Sequence, residues 1–140
     1  MIITICGSMH FAKEMLEAQK ILEENNHQCY LPLTTNECVD NPELNVNFDF
    51  CLEHDCQMDH FKKIEASDAI VVLNYPKNNV NGYVGGAVLT EMAIAKYLGK
   101  KIFVLHDLPD PEEIRYIFEA KLMQPTILGG DLGKIKQYGQ

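Results

Sequence analysis

The sequence has no excess of basic residues: twelve Lys and Arg stand against twenty Asp and Glu, a net charge of −8. That argues against a broad surface for a nucleic-acid polymer or an anionic membrane, both of which need clustered cations. A small anionic ligand stays open, because N–H groups at a helix N-terminus hold one without net positive charge. No apolar run approaches the length of a bilayer span. No basic region or small-residue cleavage site precedes the first apolar run, so a cytoplasmic location is expected. The five cysteines (Cys6, Cys29, Cys38, Cys51 and Cys56) are odd in number and form no Cys-x-x-Cys pair, which reads as reduced thiols rather than a disulfide framework. Cys51 and Cys56 with His54 and His60 match no standard zinc spacing, so no metal and no other cofactor is expected. A redox or metal role for the cysteines is the weakest reading. There is no internal repeat.

What is present is an alternation of short apolar runs with helical periods. At 140 residues and 46% hydrophobic content, the chain suits one domain across residues 1–140 with a single sizeable core. Residues 1–6 (MIITIC) form an apolar run ended by Gly7-Ser8, a buried strand and its turn. Residues 11–25 carry Phe11, Met15, Ala18 and Leu22 at helical steps with charged residues opposite. Residues 27–31 predict a second strand. Residues 34–50 show no clean period and are expected to be a long loop, either a binding lid or a loosely held surface segment. Residues 51–67 return to helical spacing. Residues 69–73 (AIVVL) are apolar throughout, as a strand covered on both faces requires. A helix over 87–98 ends at Gly99, a strand follows at 102–105, and Pro111 opens a helix to about residue 123. A short strand at 125–128 and a terminal helix capped by Asp131 complete the chain. This order predicts a three-layer, Rossmann-like or flavodoxin-like α/β domain with about five parallel strands in the order 2-1-3-4-5.

In such a sheet a ligand sits beyond the carboxyl ends of the strands where their order reverses, here between the first and third. The loops leaving those strands are Gly7-Ser8-Met9-His10 and residues 74–86. Gly7 lets backbone approach a ligand, and Ser8 with the following N–H groups can cradle a phosphate; the bland alternative is a turn with Ser8 as helix cap. The dinucleotide fingerprint is incomplete, since its second and third glycines are missing. The 74–86 loop carries Asn74, Asn81, Gly82, Tyr83, Gly85 and Gly86 and runs straight into a helix. Glu91 lies about one turn into that helix, where the dipole would keep a carboxylate ionised. It is either a capping residue or a nucleophile or base facing the ligand. Asp59 and Lys63 could be an exposed i,i+4 pair. Asp68 reads as a turn residue or helix-end partner.

The Cys6-Gly7-Ser8 turn, the run Lys63-Ile64-Glu65-Ala66-Ser67-Asp68 into residues 69–74, and Gly82-Tyr83-Val84-Gly85-Gly86-x-x-x-Thr90-Glu91-Met92-Ala93-x-Ala95 together resemble the nucleoside 2-deoxyribosyltransferase-like family, which includes nucleoside 5′-monophosphate N-glycosidases. The likeness spans roughly residues 1–8 and 58–106. It implies cleavage or transfer at an N-glycosidic bond of a nucleoside or nucleotide, with Glu91 attacking the anomeric carbon to form a covalent glycosyl-enzyme. It implies that Cys6, Gly7, Ser8 and Met9 contact the sugar or a 5′-phosphate, that Asp59 is the nearest candidate for a sugar-contacting acid, and that the protein is a homodimer or higher homo-oligomer. His60 and Lys63 are candidates for phosphate contact. Two departures stand out. The transferases carry base-orienting acids in the loop after the third strand, where this chain has only Asn78, Asn79 and Asn81. They place a Tyr soon after the first strand, where this chain has Met9, His10 and Phe11. The alternative reading is a non-catalytic nucleotide-binding module of the same fold.

Overall fold

The computed structural model describes residues 1–138. Five parallel strands, β1 (Ile2–Gly7), β2 (Gln28–Tyr30), β3 (Ala69–Leu73), β4 (Lys101–Val104) and β5 (Thr126–Ile127), form one sheet in the order β2-β1-β3-β4-β5. This is the expected α/β architecture and strand order. In the central pair, Ile3 lies opposite Ala69 and Gly7 opposite Leu73.

Helices α1 (Ala12–Glu24), α2 (Thr35–Asp40), α3 (Phe48–Glu53), α4 (Cys56–Glu65), α5 (Gly86–Tyr97) and α6 (Ile117–Leu122) flank the sheet. Side chains alternate across a strand, so the two faces of the sheet collect different residues. Ile3, Ile5, Val71, Leu73 and Phe103 pack with Met15, Ala18 and Leu22 of α1. Cys6, Ile70, Val72 and Val104 pack with Ile64 of α4, Val88, Met92 and Ala95 of α5, and Ile117 of α6. Even-numbered Cys6 therefore points at α4 and α5 from the carboxyl end of β1. Buried Thr4, on the same face, is satisfied by Ser67 at 2.6 Å, whose hydroxyl also donates to the Lys63 carbonyl at 2.7 Å.

Three expectations need correction. Residues 34–50 are not a long loop: they form α2, a 3₁₀ segment (Pro42–Val46) and the start of α3. Each piece is under two turns, too short to print a period in the sequence. Asn47 caps α3 by accepting from Phe50 N at 3.0 Å. Residues 51–67 are not one helix, because Asp55 adopts the left-handed region (φ 48°) and separates α3 from α4. The helix expected from Pro111 begins only at Ile117. Asp110 Oδ1 accepts from Glu112 N at 2.8 Å, and this local turn competes with helix at Pro111. Smaller shifts occur elsewhere. A 3₁₀ turn (Met9–Phe11) precedes α1, and the segment after Asp131 is 3₁₀ (Leu132–Gln137) with Asp131 as its cap. Gly99 does close α5 with φ +72°. Asp68 accepts from Ile2 N at 2.7 Å, tying the turn before β3 to the start of β1.

Candidate active-site cleft

Three elements meet where the strand order reverses. β1 ends at Cys6-Gly7. Helix α4 presents His60, one turn before buried Ile64. Helix α5 presents Glu91 on the stripe Val88–Glu91–Met92–Ala95, which is otherwise apolar and faces the sheet. A carboxylate at that spacing has nowhere to go but the core edge. A cavity of about 250 Å³ opens over it, lined among others by Gly7, Met9, Thr34, Asn45, His60 and Glu91, with Cys51 and Cys56 on its wall.

His60 and Glu91 line this cavity, Cys6 lies buried behind them, and all three side chains are nearly dry. Cys6 is fully buried, and the side chains of His60 and Glu91 are 4% and 16% exposed. Cys6 Sγ contacts His60 Nε2 at 3.4 Å, and His60 Nε2 lies 3.8 Å from Glu91 Oε1. Burial pushes the Glu91 carboxyl up to about 8, with hydrogen bonding to the Cys6 thiol opposing the shift. Burial, then the nearby Lys63 charge, pushes His60 down to about 4, opposed by Asp59. Burial, reinforced by Glu91, raises the Cys6 thiol well above its ordinary value. Near neutral pH the 3.8 Å contact therefore joins a neutral imidazole to a neutral acid and is not an ion pair. His60 Nδ1 is buried without a hydrogen-bond partner.

The expectation that the helix dipole keeps Glu91 ionised is thus overturned. Glu91 is the sixth residue of α5, beyond the first turn where the dipole acts, and desolvation outweighs it. Nor is it a capping residue: Gly85 is the N-cap of α5 and no side chain caps it. Gly86 is exposed, and Ala87 in the first turn lines the cavity.

The other sequence candidates divide. Gly7 and Met9 lie on the cavity. Ser8 caps the 3₁₀ turn by accepting from His10 N at 3.3 Å, and it also accepts from Lys77 Nζ at 3.0 Å. Lys77, the single basic residue of the 74–86 loop, stands 5.4 Å over the Tyr83 ring. The sequence reading passed over it, although a lone cation in a loop facing the Gly7-Ser8 turn was a usable signal. Thr34 and Asn45, on the wall, fall in the segment read as a loop. Asp59 and Lys63 pair at 2.8 Å on the flank of α4, and Lys63 also donates to the Leu31 carbonyl at 2.8 Å. Neither lines the cavity, and both are half-buried, so the pair is not the exposed one expected. Asn74 is buried and fully engaged: its Nδ2 donates to the His106 carbonyl at 2.9 Å and the Gly82 carbonyl at 3.3 Å, and its Oδ1 accepts from His106 N at 2.8 Å. Asn81 and Gly82 line a separate hollow beyond β3 and β4. His54 bonds the Phe50 carbonyl and stacks on its ring at 4.2 Å, and it does not converge with Cys51 and Cys56. Among the described residues, one group of three donors lies close enough to share a metal ion: Cys6, His60 and Glu91.

No family model and no curated protein matches the chain. Among solved structures, the fold is similar to that of the CMP N-glycosidase BcmB of Clostridium botulinum, with a TM-score of 0.53 and 18% identity over 99% of this chain and 100% of that one. At that identity the likeness speaks for the fold. No helix among the described residues is long and apolar enough to cross a membrane.

Proposed function

We propose that the protein cleaves the N-glycosidic bond of a nucleoside or nucleoside monophosphate, with Glu91 as nucleophile. The observation that carries this reading is the placement of the Glu91 carboxyl in the cleft beyond the carboxyl end of β1, 16% exposed and lining the same cavity as Gly7. Attack of the carboxylate on the anomeric carbon forms a glycosyl ester while the C–N bond breaks. The base leaves with a proton from solvent, and water or a second acceptor then takes the sugar from Glu91. The transition state has oxocarbenium character, which an adjacent carboxylate in a dry site stabilises strongly.

Two further observations favour this reading. The fold neighbour is a CMP N-glycosidase. Lys77 and Ser8 place a cation and a hydroxyl at the β1 turn, where a 5′-phosphate would need them. Asp59, His60 and Lys63 then act from α4: His60 directly at the cleft, Lys63 by holding the Leu31 carbonyl, and Lys63 and Asp59 through their charges on His60. The same reading carries a homo-oligomer, supported by Tyr97 (89% exposed), Met58 and Leu98, apolar residues left open on the outer face of α4 and α5. Light scattering that returns a monomer at working concentration removes that part.

The test of the activity is a panel of nucleosides and their 5′-monophosphates, CMP included, assayed for free base. Release by wild type that Glu91→Ala abolishes is the expected result. Release that survives Glu91→Ala, or none from any substrate, removes the enzymatic reading. Ligand-induced thermal stabilisation without turnover would instead leave the non-catalytic binding module.

A further inference from the structure

At the floor of the cleft an imidazole and a carboxyl converge with a thiol buried behind them, each from a different element. Cys6 Sγ, His60 Nε2 and a Glu91 oxygen all lie within 4.8 Å of one another, two of the separations being 3.4 Å and 3.8 Å. Tetrahedral coordination at ordinary zinc–sulfur and zinc–nitrogen bond lengths sets neighbouring donors about 3.3–3.6 Å apart. A modest contraction of the Glu91 side chain brings the set into that range. As hydrogen-bonding partners the three are poorly matched. The thiol meets the imidazole and the carboxyl only as a weak hydrogen-bonding group, and 3.8 Å is too long for an imidazole–carboxyl hydrogen bond. A buried polar cluster kept for stability alone would be better satisfied than this.

Charge and access fit as well. A thiolate and a carboxylate together balance a dication, so the dry floor keeps zero net charge when one binds. The thiol and the carboxyl each release a proton to solvent, and His60 contributes a lone pair. The cavity above leaves a fourth position for water. Sulfur and nitrogen donors select a zinc-type ion over Mg²⁺ or Ca²⁺.

We propose that Cys6, His60 and Glu91 form a binding site for a thiophilic divalent cation, and that occupation switches off the cleft by tying up the Glu91 carboxylate. The site itself is independent of the proposed activity; the inhibition rests on that reading. Cys38, Cys51 and Cys56 are the competing thiols, and the experiment is built to separate them.

The wild-type protein, stripped with chelator, is titrated with Zn²⁺ by calorimetry and with Co²⁺ by absorption. One ion per chain is expected, with a thiolate-to-cobalt charge-transfer band. Cys6→Ser abolishes that band, and Cys6→Ser and His60→Gln each weaken Zn²⁺ binding by more than about 100-fold. The double variant Cys51→Ser/Cys56→Ser keeps both band and affinity. Because Cys6 and His60 are buried, X-ray absorption on zinc-loaded wild type provides a check that needs no variant: one sulfur with nitrogen and oxygen neighbours is expected. Two or more sulfurs, none, or loss of binding in the Cys51/Cys56 variant alone would overturn the site. If wild type releases base, one equivalent of Zn²⁺ stops it, chelator restores it and Mg²⁺ has no effect; release that continues with Zn²⁺ bound overturns the inhibition. Zinc binding with no base release from any substrate leaves the metal site and removes the activity, and the reverse result does the opposite.

Discussion

Two hollows open at the carboxyl ends of the strands, and they differ in kind. The one beyond β1, walled by α4 and α5, measures about 250 Å³ and has His60 and Glu91 in its lining with Cys6 buried behind them. The one beyond β3 and β4 is larger, about 420 Å³, and is lined by Pro76, Asn81, Gly82, His106, Asp107 and Gly129. At the larger hollow the backbone polar groups of Gly82 and His106 are already engaged. Asn74 beneath it ties Gly82 to His106, and Gly82 sits at φ +73° against the Asp107 carbonyl. In the smaller one the polar groups are nearly dry and only weakly bonded to each other, and burial holds the Glu91 carboxyl away from its ordinary charge. Volume does not distinguish them; the unspent chemistry does. Stability is concentrated at the larger hollow and reactivity at the smaller.

The largest effect that would break this contrast is on turnover. Glu91→Ala should lower kcat/KM for base release by at least about 10³-fold, the scale seen when a nucleophile is removed. Asp107→Asn in the larger hollow should leave it unchanged; a comparable loss there would mean the wrong hollow was chosen. Stability should respond the other way. A Cβ at Gly82 would lie 2.1 Å from the Asp107 carbonyl oxygen, in a backbone region that side chains rarely adopt. Gly82→Ala should therefore cost about 1–3 kcal/mol. Asn74→Leu, which strips the acceptor from His106 N–H, should cost a similar amount, about 1–3 kcal/mol. Urea unfolding measures both. An unchanged midpoint in either variant would show that the clamp does not hold the loops.

Smaller, and more diagnostic, is the dependence on pH. The attacking form of Glu91 is the carboxylate, and its free-enzyme value is about 8. The logarithm of kcat/KM should rise with pH, with a slope approaching one below pH 8, and level off above it. A profile that falls through pH 8 would instead make the protonated acid the working form. Linkage gives a second readout. Glu91 holds a proton in the native state that it loses when unfolded, so its contribution to stability is lost as pH rises from its ordinary 4.5 toward 8. His60 has the opposite sign: the unfolded chain takes up a proton that the native state refuses, so stability is lost as pH falls from 6.5 toward 4. The two slopes oppose each other between pH 4.5 and 6.5. Above pH 6.5 only that of Glu91 remains, at up to about 1.4 kcal/mol per pH unit. Glu91→Gln should flatten it, and His60→Gln should extend it downward toward pH 4.5.

The same contrast governs what could be read from the sequence. The strand order followed from the alternation of apolar runs with helical periods, and it pointed to the turn that leaves β1; the loop that leaves β3 does not line the cleft, whose remaining walls come from residues 32–34, Asn45 and helices α3, α4 and α5. Glu91 was legible by its place after the glycines; its spacing on the apolar stripe of Val88, Met92 and Ala95 was a further signal left unused. Its charge state was not legible, because that depends on burial by residues distant in sequence. Cys6 and His60 are 54 residues apart, and nothing local announces that they touch. Asn74 and Gly82 looked like ligand-binding residues because polar and glycine-rich loops serve both purposes. Only the partners across the fold, His106 and Asp107, reveal that they are structural. The segment 34–50 hid its helices for another reason: pieces shorter than two turns carry no period, and the Asp55 break has no unusual side chain to mark it.

Lys77 tests the boundary between the two hollows, since it belongs to the loop that separates them and reaches the Ser8 hydroxyl at 3.0 Å. If the cleft takes a 5′-monophosphate, that ammonium is the cation nearest the β1 turn, and its charge is released to the ligand when the phosphate displaces the Ser8 contact. Lys77→Met keeps the aliphatic stem against Tyr83 and removes the charge. Loss of one charge-assisted hydrogen bond predicts a rise in KM of about tenfold for a monophosphate, with kcat little altered and KM for the matching nucleoside unmoved. An equal rise for both substrates would assign Lys77 to loop packing. No rise for either would move the phosphate away from the Gly7-Ser8 turn and leave that turn to the sugar.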